Sequence, residues 1–201
     1  ILWGKGFGAT GVAVGEVCFN TSMTGYQEIM TDPSYASQVV TFTFPHIGNV
    51  GSNLEDIESV VDSAIGCIVR EDVTAPSNFR SSMHFRDWME SKGKIGLSGI
   101  DTRALTRRIR QNGPPNAVLA YSESGDFNLP ELIAKAKKWQ GLEGLDLAPS
   151  VTRSMEQHWK GGPWRLGHGF EEGSCSDVPH VVAIDYGAKD NIFRNLVRAG
   201  A

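Results

Sequence analysis

Cysteine is scarce in this chain: three residues among 201, Cys18, Cys67 and Cys175. So few, odd in number and far apart, they argue against a disulfide framework and fit a reducing, cytoplasmic setting. Long apolar runs are missing as well, and none approaches the roughly 20 residues that cross a bilayer. No charged stretch followed by an apolar one opens the chain, so no leader peptide is visible. Neither sign of charge dominates. A net charge of -4 gives no reason to expect nucleic acid or an anionic membrane as partner. The five histidines, His46, His84, His158, His168 and His180, show no i, i+4 pair and no His-x-His spacing, so no metal site is expected.

What is present is ordinary for a globular protein, 40% hydrophobic and 21% charged residues. At 201 residues the chain can hold one large domain, or one domain plus a fragment. Short β-like runs lie at 16–21, 38–44, 64–70 and 117–121, separated by Gly, Pro and Asn. Between them, residues 78–91 read as a helix, with Phe85, Trp88 and Met89 on one face and Gly93 as its stop. A second helix over 101–111 has Asp101 as its N-cap, Leu105 and Ile109 on one face, and Gly-Pro-Pro after it. A third, over 128–139, opens with Asn128 and Glu131 in a capping-box arrangement and carries a stripe of Leu132, Ala136 and Trp139. Periodicity then fades across 141–178. Trp159 and Trp164 are poor choices for a free linker, so this connector is expected to pack on a neighbour. The character changes at 180–185, a continuous apolar run that reads as a strand buried on both faces. The loop 186–189 and a helix over 190–198 follow, with Ile192, Leu196 and Val197 on one face. This is a first βα unit of a parallel sheet.

Several features tempt a functional reading and have a plainer one. The glycine-dense segment at 3–11 lacks the strand before and helix after that a dinucleotide loop needs, and reads as a turn or bulge between strands. Cys175 sits in an acidic loop, which raises rather than lowers a thiol pKa, and Cys18 and Cys67 read as small buried hydrophobes. His46 reads as a structural loop histidine. Arg103, Arg107, Arg108 and Arg110 give the second helix a basic face, either solvated or docked on the acidic surface of a partner. Asp32 and Pro33 suit a type I turn, in which Ser34 would be a turn serine bonded to nearby backbone.

Five blocks carry a resemblance. They are FNTSMTGYQE at 19–28, TDPSY at 31–35, PHIGN at 45–49, GIDTR at 99–103 and DYGAK at 185–189. In register and in order, they resemble the small, glutamine-handling subunit of carbamoyl-phosphate synthetase. The resemblance implies a β-rich swivelling β/β/α domain over 1–122 that lacks its opening strand. It implies a helix and connector over 123–178, and the start of a class I glutamine amidotransferase α/β domain over 179–201. It implies that the parent hydrolyses glutamine through a Cys-His-Glu triad lying beyond this sequence, so no catalytic residue falls within it. Ammonia would pass to a large subunit, which uses ATP and magnesium to make carbamoyl phosphate for arginine and pyrimidine synthesis. No cofactor belongs to this chain. The resemblance also turns Ser34 into a glutamine-binding residue that reaches across the domain interface. A stand-alone non-catalytic module of the same fold, or a piece of a fused synthetase, are the alternatives.

Overall fold

The computed structural model describes residues 1–173 and 178–201, so the Cys175 reading lies outside the described residues. Six strands form one mixed sheet: β1 (Lys5–Gly8), β2 (Gly11–Asn20), β3 (Gln38–Phe42), β4 (Gly66–Ile68), β5 (Ile95–Ser98) and β6 (Asn116–Tyr121). Their order is β1-β5-β4-β3-β2-β6. The four central strands, β5, β4, β3 and β2, run parallel, while β1 and β6 are antiparallel to their neighbours at the two edges.

The β-branched run of β3 explains the centre. Val39, Val40, Thr41 and Phe42 are all buried, which requires cover on both faces of the strand. On one face Val40 and Phe42 join Tyr26 and Met30 of α1 (Tyr26–Thr31) and Phe85, Trp88 and Met89 of α2 (Phe85–Ser91). On the other, Val39 and Ile68 pack with Ile109 of α3 (Thr102–Asn112). The sheet curls until its edges meet. The Tyr121 ring of β6 lies over Gly6 of β1, where a Cβ would come within 2.1 Å of it. Only glycine admits that ring.

Two sequence expectations need correction here. The glycine-dense segment is itself a strand, β1, paired with β5 and turning directly into β2. The helix expected over 78–91 begins only at Phe85. Upstream, the Asn78 side chain accepts from the Arg80 N–H and closes a turn, Met83 bridges to Ser52, and the His84 imidazole caps the helix by accepting from the Arg86 N–H. Local side-chain bonds outcompete helix there. The capping readings hold: Asp101 accepts from the Ala104 N–H, and Asn128 exchanges bonds with Glu131 at the start of α4 (Leu129–Lys138).

The connector packs, as its tryptophans require. A single turn, α5 (Ala148–Val151), precedes a hairpin of β7 (Gly161–Arg165) and β8 (Gly169–Glu172) that the sequence did not announce. The Trp164 indole donates to Glu55 at 2.9 Å under the Arg80 guanidinium, and Trp159 lies against Phe193 of α6 (Asp190–Arg198). The run at 180–185 is a further correction. It forms no strand, and Val182 and Ile184 stand 79% and 77% exposed. Among the described residues no strand lies beside it, so its apolar side chains have nothing to be buried against.

Candidate functional site

The Ser34 turn lies against the loop that leads into α6. Pro33–Tyr35 forms a single 3-10 turn after α1, and Asp32 caps it, with one carboxylate oxygen accepting from the Ser34 N–H at 2.9 Å. The other oxygen of Asp32 receives the Lys189 ammonium at 3.2 Å. That contact joins residues 157 positions apart. The hydrogen bond to Asp32 holds the Lys189 pKa above its ordinary value. Asp32 is buried, while Ser34 at the tip is exposed.

A second clamp runs beside the first. The Thr31 hydroxyl accepts from the Glu58 N–H at 3.0 Å. Glu58 in turn offers its carbonyl to the Asp190 N–H at 2.7 Å and its carboxylate to the Asn191 N–H at 2.9 Å. Lys189, the residue preceding α6, provides no side-chain cap, so a carboxylate from a distant loop satisfies the orphan donors and faces the positive end of the helix.

The loop itself is stiffened from within. Asp185 accepts from the N–H groups of Ala188, Gly187 and Arg153. Burial opposes its charged form, but those donors prevail and hold its pKa below the usual carboxylate range. Arg153 pairs with Asp185 and Asp190 and lies over the Phe193 ring at 5.0 Å. Gly187 allows the approach: a Cβ there would meet Val151 at 2.7 Å and Pro33 at 3.6 Å.

Both described cysteines are poor nucleophiles. Burial pushes the Cys67 thiol up to about 12 and the Cys18 thiol to about 11, so neither is a thiolate at neutral pH. His46 is exposed in its loop, and His84 serves as a helix cap. No group of three or more potential metal ligands converges among the described residues. No helix among them is long and apolar enough to cross a membrane. Arg103, Arg107, Arg108 and Arg110 are all exposed. Arg107 and Arg108 rim a shallow cavity of about 340 Å3 floored by Leu2, Ile100 and Leu105. A larger cavity, about 520 Å3, lies between the hairpin and α6 and shares no residue with the Ser34 turn.

The structure therefore brings two of the five sequence blocks together, TDPSY at 31–35 and DYGAK at 185–189. The sequence singles out Ser34 and places Asp32 in its turn; Lys189 stands in its block without a role. Glu58 and Arg153 carried no sequence signal, because a helix cap and an ion pair supplied from distant loops leave no local pattern.

The family model described as "Carbamoyl-phosphate synthase small chain, CPSase domain" matches residues 1–119. Among curated relatives, the carbamoyl phosphate synthase small chain of Zymomonas mobilis is 58% identical over 201 residues, covering 100% of this chain and 54% of the relative. That of Bradyrhizobium diazoefficiens is 54% identical over 204 residues, covering 100% of this chain and 51% of the relative. That of Mesorhizobium japonicum is 53% identical over 205 residues, with the same two coverages of 100% and 51%. The chain thus spans about half the length of the curated relatives it matches. With a family match over more than half of its residues, this chain belongs to the carbamoyl-phosphate synthase small chain family.

Proposed function

We propose that this chain is the N-terminal portion of a glutamine-hydrolysing carbamoyl-phosphate synthase small subunit, working in the cytoplasm. Residues 1–122 form its swivelling β/β/α domain, 123–178 a helix and connector, and 179–201 the first βα unit of its class I amidotransferase domain. The parent subunit hydrolyses glutamine and delivers ammonia to a large subunit, where ATP and magnesium drive carbamoyl phosphate synthesis. The portion in hand supplies scaffold, subunit interface and one side of the glutamine pocket. The attacking thiolate comes from outside residues 1–201, a reading supported by the raised pKa values of Cys18 and Cys67.

The observation that carries this reading is the docking of the exposed Ser34 turn on the loop that precedes α6. A serine presented there can donate to and accept from the polar α-amino and α-carboxylate end of glutamine. The exposed basic face of α3 would suit an acidic surface on a partner subunit.

The test uses the full-length subunit with its large partner. Ser34→Ala is expected to raise the KM for glutamine, consistent with a lost hydrogen bond of roughly 0.5–1.5 kcal/mol. Synthesis from free ammonia should stay unchanged. An unaltered glutamine KM would return Ser34 to a turn residue.

A further inference from the structure

We infer that the basic stripe of α3, with the apolar floor beside it, is the surface on which an acidic, apolar-flanked segment of the large subunit docks. Resting on the small-subunit reading above, this adds where on the chain that partner is held.

α3 divides its residues between two environments. Thr102 and Ile109 are buried, and Leu105 packs against the core that Ile109 joins. Arg103, Arg107, Arg108 and Arg110 are exposed. Elsewhere arginines find acids: Arg70, Arg80, Arg153, Arg165 and Arg194 each reach a carboxylate. No ion pair among the described residues includes any of the four on α3. Nor does helix stability account for them. Arg103 lies in the first turn, at the positive end of the helix dipole, and repels Arg107 one turn on. Arg107 in turn repels Arg110, and only Arg110 sits where the dipole favours a cation. These charges oppose the helix in the free chain and become favourable against a surface rich in carboxylates.

The shape beside them selects the kind of partner. Ala104, Arg107, Arg108 and Gln111 follow one another at helical spacing along the shallow cavity of about 340 Å3, with Leu2, Ile100 and Leu105 beneath. Ile1, Leu2 and Trp3 all remain exposed, so apolar surface continues past it. Arginine beside exposed aromatic and aliphatic side chains is the composition of a protein interface. A segment with apolar side chains flanked by Asp or Glu satisfies both halves. Its apolar groups leave water over Leu2 and Leu105, while its carboxylates take forked hydrogen bonds from Arg107 and Arg108. Nucleic acid fits less well, because a phosphate backbone has no use for the apolar floor and the chain carries a net charge of -4.

The test measures association of the full-length small subunit with its large partner. Arg107→Glu with Arg108→Glu should raise the Kd at least about tenfold at low salt, mostly through a slower association rate. At about 0.5 M salt the gap should narrow to within about threefold, since rim charges are then screened. Arg107→Gln with Arg108→Gln should fall between the parent and the reversal. Reversing the exposed Lys137 and Lys138 of α4, which changes the net charge equally, should leave the Kd within about twofold. Once the complex is saturated, the α3 variants should keep the parent's glutamine KM, which separates docking from the glutamine pocket.

An unchanged Kd for the Arg107 and Arg108 reversal, or an equal loss from the α4 reversal, would overturn the proposal. So would a reversal that abolishes self-association or nucleic-acid binding of the small subunit and spares the large-subunit complex. If the parent subunit does not bind the large subunit at all, the small-subunit reading fails first. If it binds and the reversal binds as well, only the docking face fails.

Discussion

Two apolar runs in this chain have similar composition and opposite fates. Residues 38–42 became β3, with Phe42 1% exposed, while residues 180–185 became an unpaired stretch with Val182 79% exposed. The difference is not intrinsic preference, since both are rich in β-branched residues. β3 has a parallel neighbour on each side and helices over both faces. The later run has neither among the described residues. An apolar run states a demand for cover; only the rest of the fold supplies it.

The comparison breaks most visibly at the centre of the sheet. Phe42→Ala should destabilise the chain by about 3–5 kcal/mol, as expected for emptying a fully buried aromatic site. Denaturant midpoints with an unchanged m-value would measure it.

Next in size is the half-buried carboxylate of Glu28, on the helix that carries Tyr26 and Met30. Burial pushes the Glu28 pKa from 4.5 to about 7, with Asp56 and Glu58 adding to the rise and Arg80 and the backbone opposing it. A raised carboxylate favours the fold while protonated. Its contribution is fully present below about pH 4.5 and is lost as pH rises through about 7. Glu28→Gln should therefore be more stable than the parent at pH 8, by up to about 3 kcal/mol, and equal to it near pH 4. Stability curves that stay parallel across that window would contradict the assignment.

Smaller still is a helix cap. Asp101→Ala removes the acceptor for the Ala104 N–H at the start of α3 and should cost about 1 kcal/mol. At the far end of the scale, Val182→Ala should change stability by less than about 0.5 kcal/mol, because the side chain it removes is already in water. A cost near that of a core position would show that the run is paired in solution, and the contrast with β3 would collapse.

The legible parts of the fold were those written locally. A β-branched and aromatic run announced β3, a short β-like run after Gly-Pro-Pro announced β6, and the caps of α3 and α4 lay where Asp101 and Asn128 placed them. The helix at 78–91 was overextended because Asn78 and His84 use their side chains to hold backbone N–H groups in non-helical turns. The β7–β8 hairpin was missed because its strands rest on Arg80, Glu55 and Val197 rather than on an alternating pattern of their own. At the site, Ser34 stood out through its block, whereas the pairing of Asp32 with Lys189 required the fold to close a gap of 157 positions. Glu58 and Arg153 act through distant backbone and charge, which no local sequence pattern encodes.

The central claim is that the Ser34 turn forms one side of a glutamine pocket beside the loop at 185–189. A crystal structure of the full-length subunit with glutamine held at the site, its reaction blocked, tests this directly. The account predicts the polar α-amino or α-carboxylate end of glutamine within about 3 Å of the Ser34 Oγ, with the Asp32–Lys189 contact intact beneath it. Glutamine bound elsewhere, with the Ser34 hydroxyl facing only solvent, would contradict it.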